Sequence, residues 1–147
     1  MGLAMIAGNF LYGPLDRILG TRKWIVIVGN VIGAAGCLAL FAFPGASPLA
    51  STALLALVGL MGASFPVILA HGRAFFPPHL TGRGVTLINL FGIGGVGVGQ
   101  FVTGRLHATI ANQSEQPAEP FAAIFLFFAA ALLIGVAIYS VSRDRTD

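Results

Sequence analysis

Charge is scarce in this chain and cysteine nearly absent. Between Lys23 and Arg73 there is no Asp, Glu, Lys or Arg, and charged residues make up only 9% of the 147 positions. An ordinary soluble domain carries roughly 25%. One face of a soluble helix meets water and has no need of so long an uncharged run. A charge at the centre of a bilayer, in contrast, costs a few kcal/mol at least. The single Cys37 excludes an intrachain disulfide. All five carboxylates (Asp16, Glu115, Glu119, Asp144 and Asp147) lie outside the apolar runs, so no Ser, His and carboxylate set can converge within them. His71, His79 and His107 have no metal-ligand spacing. The sequence therefore predicts no enzyme, no metal site and no cofactor.

What is present is hydrocarbon: 56% of the residues are hydrophobic. Crossing ~30 Å of bilayer takes about 20 apolar residues, and residues 24–43, 50–72, 84–106 and 121–142 each meet that length. Pro44, Gly45, Ser47 and Pro48 turn the chain between the first two of these. Helix is the conformation expected, because an open strand would leave backbone groups unpaired in lipid. Residues 2–15 form a shorter apolar segment, 15 − 2 + 1 = 14 residues, or about 21 Å of helix. It ends in Gly13-Pro14 and then charges. The expectation is an all-α, polytopic membrane bundle whose first helix is partial, the chain being a piece of a longer protein.

Seven of the eight basic residues fall at one side of such a zigzag: Arg17, Arg22, Lys23, Arg73, Arg83, Arg143 and Arg145. Arg105 and the acidic stretch 112–120 lie at the other. The net charge of +3 and pI near 9.8 then reflect membrane topology rather than nucleic-acid binding. The positive-inside rule places the C-terminus in the cytoplasm of a cell whose inner membrane holds the chain.

Polar side chains within the spans mark candidate cavity walls. Thr86, Asn89, Gln100 and Thr103 fall within an arc of about 100° at 100° per residue. Gly92, Gly95 and Gly99 occupy the neighbouring arc. The amides either line a cavity or bond a neighbouring helix across a dry interface. Ser64 and His71 share a face of the third span, with Pro66 between them to bend it. His71, beside Arg73, reads as an interfacial histidine. Asn9 is a further cavity candidate. Gly29-x-x-x-Gly33 and Gly95-x-x-x-Gly99 are small-residue packing patterns. The second and fifth spans, poor in polar side chains, read as peripheral and lipid-facing. Gly92-Ile-Gly94-Gly95-Val-Gly97 fits a dinucleotide fingerprint in letters only, since it lies mid-span with no strand before it.

Residues 12–23, Tyr-Gly-Pro-Leu-Asp-Arg-Ile-Leu-Gly-Thr-Arg-Lys, resemble the cytoplasmic loop signature of the major facilitator superfamily, a G-x-L-x-D-R-x-G-R-K-type sequence. Asp16 and Gly20 stand four apart where the pattern has three, so the copy is degenerate. Residues 77–106 resemble that family's helix 10–11 loop and helix 11. The resemblance covers the whole chain, from late helix 8 through helix 12. It implies the C-terminal half of a secondary transporter that moves a small solute by alternating access. The missing N-terminal half, the lipid bilayer and a small-molecule substrate would be its partners. It also implies a cytoplasmic gate built from Gly13, Asp16, Arg17, Gly20, Arg22 and Lys23, with Arg22 and Lys23 serving equally as headgroup anchors. A complete small membrane protein with a structural or assembly role is the other reading.

Overall fold

The computed structural model describes residues 2–145. Among these the chain is all helical: α1 (Gly2–Leu19), α2 (Lys23–Ala42), α3 (Pro48–Gly62), α4 (Phe65–Arg73), a 3-10 turn (Pro78–Leu80), α5 (Thr81–Ala111) and α6 (Glu119–Ser140). Four stretches are long and apolar enough to cross a bilayer: Lys23–Ala42, Pro48–Arg73, Pro78–Ala111 and Glu119–Ser140. The fold is the partial membrane bundle that composition implied.

α2 is its central element. It packs along α6 and α3, while α1 rests on α3 and α4, and α5 meets α6 and α4. The residues α2 buries include Ile25, Val26, Gly29, Gly33, Gly36, Cys37 and Leu40, a spacing of three and four that runs down one flank. Glycine makes the close approach possible. A Cβ at Gly29 would overlap the hydroxyl of Tyr12 on α1, and one at Gly33 would touch Met61 Cβ at 3.4 Å. The expectation that residues 24–43 are peripheral is therefore corrected. Of the most apolar window of α2, 44% is buried, against 0% for the corresponding stretch of α5. Few polar side chains signalled lipid contact, but here they accompany a smooth surface on which other helices lie.

Two boundaries also differ from expectation. α1 does not stop at Gly13-Pro14. It runs through Pro14 to Leu19, 18 residues in all, about 27 Å, and ends where Gly20 adopts φ 63°. That left-handed angle is cheap only for glycine. Gly13, Asp16 and Arg17 thus sit on the last turns of a helix rather than in a loop. The third span, expected as one bent helix, is broken outright. Ala63 and Ser64 donate their N–H groups to Leu60 and Met61, three residues back, and α4 restarts with Pro66 in its first turn. Proline has no N–H to give to Gly62, so the ladder must tighten or part at this point.

The densest core joins Tyr12, Ile25, Val26, Ala63 and Val67, with Leu15, Ile68 and Tyr139 against it. It draws on α1, α2, α4, α6 and the break between α3 and α4. Substituting Gly29→Leu should destabilise the bundle by about 1–3 kcal/mol through overpacking, read as a lower unfolding midpoint in detergent. Gly94→Leu should have no such effect, because nothing lies within 4 Å of a Cβ there. Equal shifts in the two variants would refute the close-packed role of Gly29.

Candidate functional site

The polar residues singled out from the sequence separate into three groups. Ser64 is buried in the break between α3 and α4, and its Oγ accepts a hydrogen bond from Asn30 Nδ2 at 3.2 Å. Asn30 Nδ2 also donates to the Val26 carbonyl at 2.8 Å. Ser64 is thus held in a helix-to-helix pair. On α5 the Thr86 hydroxyl donates to the Gly82 carbonyl at 2.9 Å and Thr103 to Gly99 at 2.8 Å. The Asn89 and Gln100 side-chain amides make no hydrogen bond among the described residues, the Gln100 carbonyl accepts from the Thr103 hydroxyl at 3.2 Å, and Gln100 is exposed. Asn9 is exposed on α1, remote in sequence from either group. The flank of Gly95 and Gly99 is bare too: a Cβ at either would meet nothing within 4 Å. Among the described residues, then, Gly29-x-x-x-Gly33 is a packing contact and Gly95-x-x-x-Gly99 is not.

The side chains of Asp16 and Arg17 lie outside the described residues. Gly13 is exposed, and a Cβ there would meet nothing within 4 Å. Gly20 ends α1, and Arg22 and Lys23 start α2. Here the chain returns to itself. Asp144, in the segment after α6, accepts the N–H of Lys23 at 3.1 Å and of Arg22 at 3.3 Å on Oδ1, and the Thr21 hydroxyl at 2.5 Å on Oδ2. The N-cap residue Arg22 gives α2 no side-chain cap. The carboxylate supplies one from across the sequence, satisfying orphan donors and meeting the positive end of the helix dipole.

Next to it His71, only 1% exposed, closes the same junction. Its Nδ1 lies 2.5 Å from Tyr139 Oη, and its Nε2 lies 3.0 Å from the Arg143 carbonyl and 3.3 Å from the Arg145 N–H. Either neutral tautomer is served. With hydrogen on Nε2 the ring donates to Arg143 and accepts from Tyr139. With hydrogen on Nδ1 it donates to Tyr139 and accepts from Arg145. The Arg145 guanidinium stands 5.1 Å from the Phe75 ring centre. His71, near the end of the third membrane-length stretch, is therefore buried within the protein rather than exposed there. It fastens the end of α4 to the end of α6, because both ring nitrogens meet partners from the protein.

This clasp was missed in the sequence because its members are far apart. His71 and Tyr139 are separated by 68 positions, Thr21 and Asp144 by 123. Single polar residues near span ends carry no periodic signal. The charge balance of the clasp is asymmetric. Burial pushes the Asp144 carboxyl up, but the Thr21 hydroxyl, the Lys23 and Arg22 N–H groups and the nearby His71 together hold it below its ordinary value. A depressed carboxyl stabilises the fold above its unfolded pKa, and the contribution is lost as pH falls through the folded value. Asp144→Ala should cost about 0.5–2 kcal/mol, as removal of a helix cap does, seen as a lower unfolding midpoint at neutral pH. The gap between variant and parent should close as pH drops below the usual carboxylate range. A gap independent of pH would argue against the ionised cap.

The amides on an otherwise apolar helix, the basic end and the broken third span together describe a membrane helix bundle with one polar flank uncovered. No curated protein and no solved structure matches the chain. The match to the Major Facilitator Superfamily runs over residues 1–147. It agrees with the loop signature at residues 12–23, the helical content and the four membrane-length stretches. The chain belongs to the major facilitator superfamily, a family of multi-pass membrane transporters of small molecules.

Proposed function

We propose that the chain forms the C-terminal half of a secondary active transporter, working by alternating access with a second half that covers α5. The single observation that carries this reading is α5 itself. It has 31 residues, yet none of its most apolar window is buried. One arc of it presents Thr86, Asn89, Gln100 and Thr103. An uncovered amide facing hydrocarbon is costly. A second bundle facing that arc would enclose it as the wall of a solute path. Asn9, exposed on α1, would add a further amide to that path.

In this arrangement the basic end is cytoplasmic, as the distribution of Arg and Lys favours. Asp16 and Arg17, on the last turns of α1, would form the gate through contacts with the opposite half. No carboxylate lies within a membrane-length stretch outside its first turn, so a proton-coupling acid, if one is used, belongs to the other half. The solute class stays open among polar small molecules that amides and hydroxyls can bind.

Cysteine accessibility in membranes tests the reading, in a Cys37→Ala background and in the complete transporter. Asn89→Cys and Gln100→Cys should react with a water-soluble thiol reagent, at least about tenfold faster than Phe91→Cys and Val98→Cys on the opposite side of the helix. An unreactive Asn89→Cys and Gln100→Cys pair would mean that the amide arc is dry, and the solute path lies elsewhere.

A further inference from the structure

Inside the bundle, away from the α5 arc, one amide is only half satisfied. Asn30 belongs to α2, within a membrane-length stretch. Its Nδ2 donates to the Val26 carbonyl at 2.8 Å and to Ser64 Oγ at 3.2 Å. A carbonyl can only accept, so the Val26 contact decides which end of the amide carries nitrogen. Both Nδ2 hydrogens are then used, and no described group donates to Oδ1. Among the described residues, the fully buried side-chain polar atom without a partner is Ser142 Oγ. Asn30 Oδ1 is therefore not sealed in protein and opens onto the space beside it.

Two cavities meet at this side chain, sharing Asn30, Phe128 and Leu132. One, of about 310 Å³, runs beside Ile68 and Gly135. The other, of about 500 Å³, lies between α2, α3 and α6. Apart from Asn30, its lining residues carry no amide, hydroxyl or charge in their side chains. Sites for small organic ligands hold roughly 300–1,000 Å³, with mostly apolar walls and a few placed polar groups. The larger cavity has that character, with a single polar group. Phe128 on its border is 41% exposed, which leaves a mouth toward the surrounding hydrocarbon. No residue of α5 lines it, so it stands apart from the solute path.

We propose that the larger cavity binds a membrane-borne alcohol. Its hydroxyl donates to Asn30 Oδ1, and its hydrocarbon body lies against Val58, Phe125 and Leu132. Other occupants fit less well. A plain acyl chain fills the volume but leaves Oδ1 without a donor, and an unmatched amide carbonyl in hydrocarbon is costly. A bound water needs two or more polar partners, and the side chains here supply one. A sugar or an ion would bring more polar groups than one acceptor can meet. One hydroxyl on an apolar body matches both the wall and its single acceptor. Such a ligand would bridge the axial helix to α6 beside the break that begins after Gly62.

The test exposes the full chain, in phosphatidylcholine vesicles, to decanol bearing a photoreactive diazirine on its chain. A parallel sample receives the matching methyl ether, which has the same body but cannot donate. Labelled residues are located by mass spectrometry. The alcohol should label the facing stretches of α2, α3 and α6 about fivefold more than the ether, the worth of one hydrogen bond. Gly62→Leu should remove most of that labelling, because nothing lies within 4 Å of a Cβ there and the new side chain grows into the larger cavity. Gly135→Leu, equally free of neighbours but lining the smaller cavity alone, should leave it unchanged. Asn30→Leu should bring alcohol and ether to equal labelling. If losing the Ser64 bond costs that variant its helical circular dichroism, Gly62→Leu decides instead. Equal labelling by alcohol and ether in the parent chain would overturn the proposal. Labelling that Gly62→Leu leaves intact, or that is absent from these three helices, would overturn it too.

Discussion

Hydrocarbon offers no hydrogen bonds, and that one constraint organises the molecule. Every polar atom placed at membrane depth has to find its partner inside the protein or face a cavity. Thr86 and Thr103 meet this demand by bonding carbonyls four residues back on α5. Asn30 and Ser64 meet it by bonding each other where the third span is interrupted. The main chain at the break closes through three-residue bonds from the Ala63, Ser64 and Val67 N–H groups, and the Asn30–Ser64 side-chain bond ties the break to α2.

The same constraint acts at the helix ends, where polar groups are most numerous. α2 begins without a cap from Arg22, and Asp144 reaches its first N–H groups from beyond α6. His71 ties the adjoining ends of α4 and α6 with both ring nitrogens. Glycine on α2 performs the complementary task in the apolar region. It removes bulk so that Tyr12 and Met61 can come close, and dispersion contacts replace a hydrophobic driving force that lipid cannot supply. Polar closure at one end and close packing along the middle together make α2 the axis of the bundle.

Much of this was legible in the residues. Four membrane-length stretches and the family were readable, because an uncharged run of about 20 residues is what a bilayer crossing demands, although the break between Gly62 and Phe65 in the third reads from sequence only as a bend. Three further features were not. The central role of α2 is hidden, since smoothness looks the same in a sequence whether lipid or another helix covers it. Gly13-Pro14 reads as the end of α1, although a proline can be carried through a helix and the positive φ of Gly20 sets the real stop. Of the site residues, the α5 arc could be drawn from periodicity alone. The clasp of Thr21, His71, Tyr139 and Asp144 could not, because nothing in the chain announces which distant polar residues will meet.

The cap on α2 has a consequence for biogenesis. Translation delivers residues 21–23 to the translocon long before residues 139–145 leave the ribosome. Throughout that interval the Arg22 and Lys23 N–H groups lack the carboxylate that accepts them in the folded chain, while Thr21 is already at hand for the Trp24 N–H. Topogenesis of the early spans must therefore proceed on hydropathy and basic flanks alone, and the late-made segment beyond α6 acts as a keystone that locks an assembly already threaded through the bilayer.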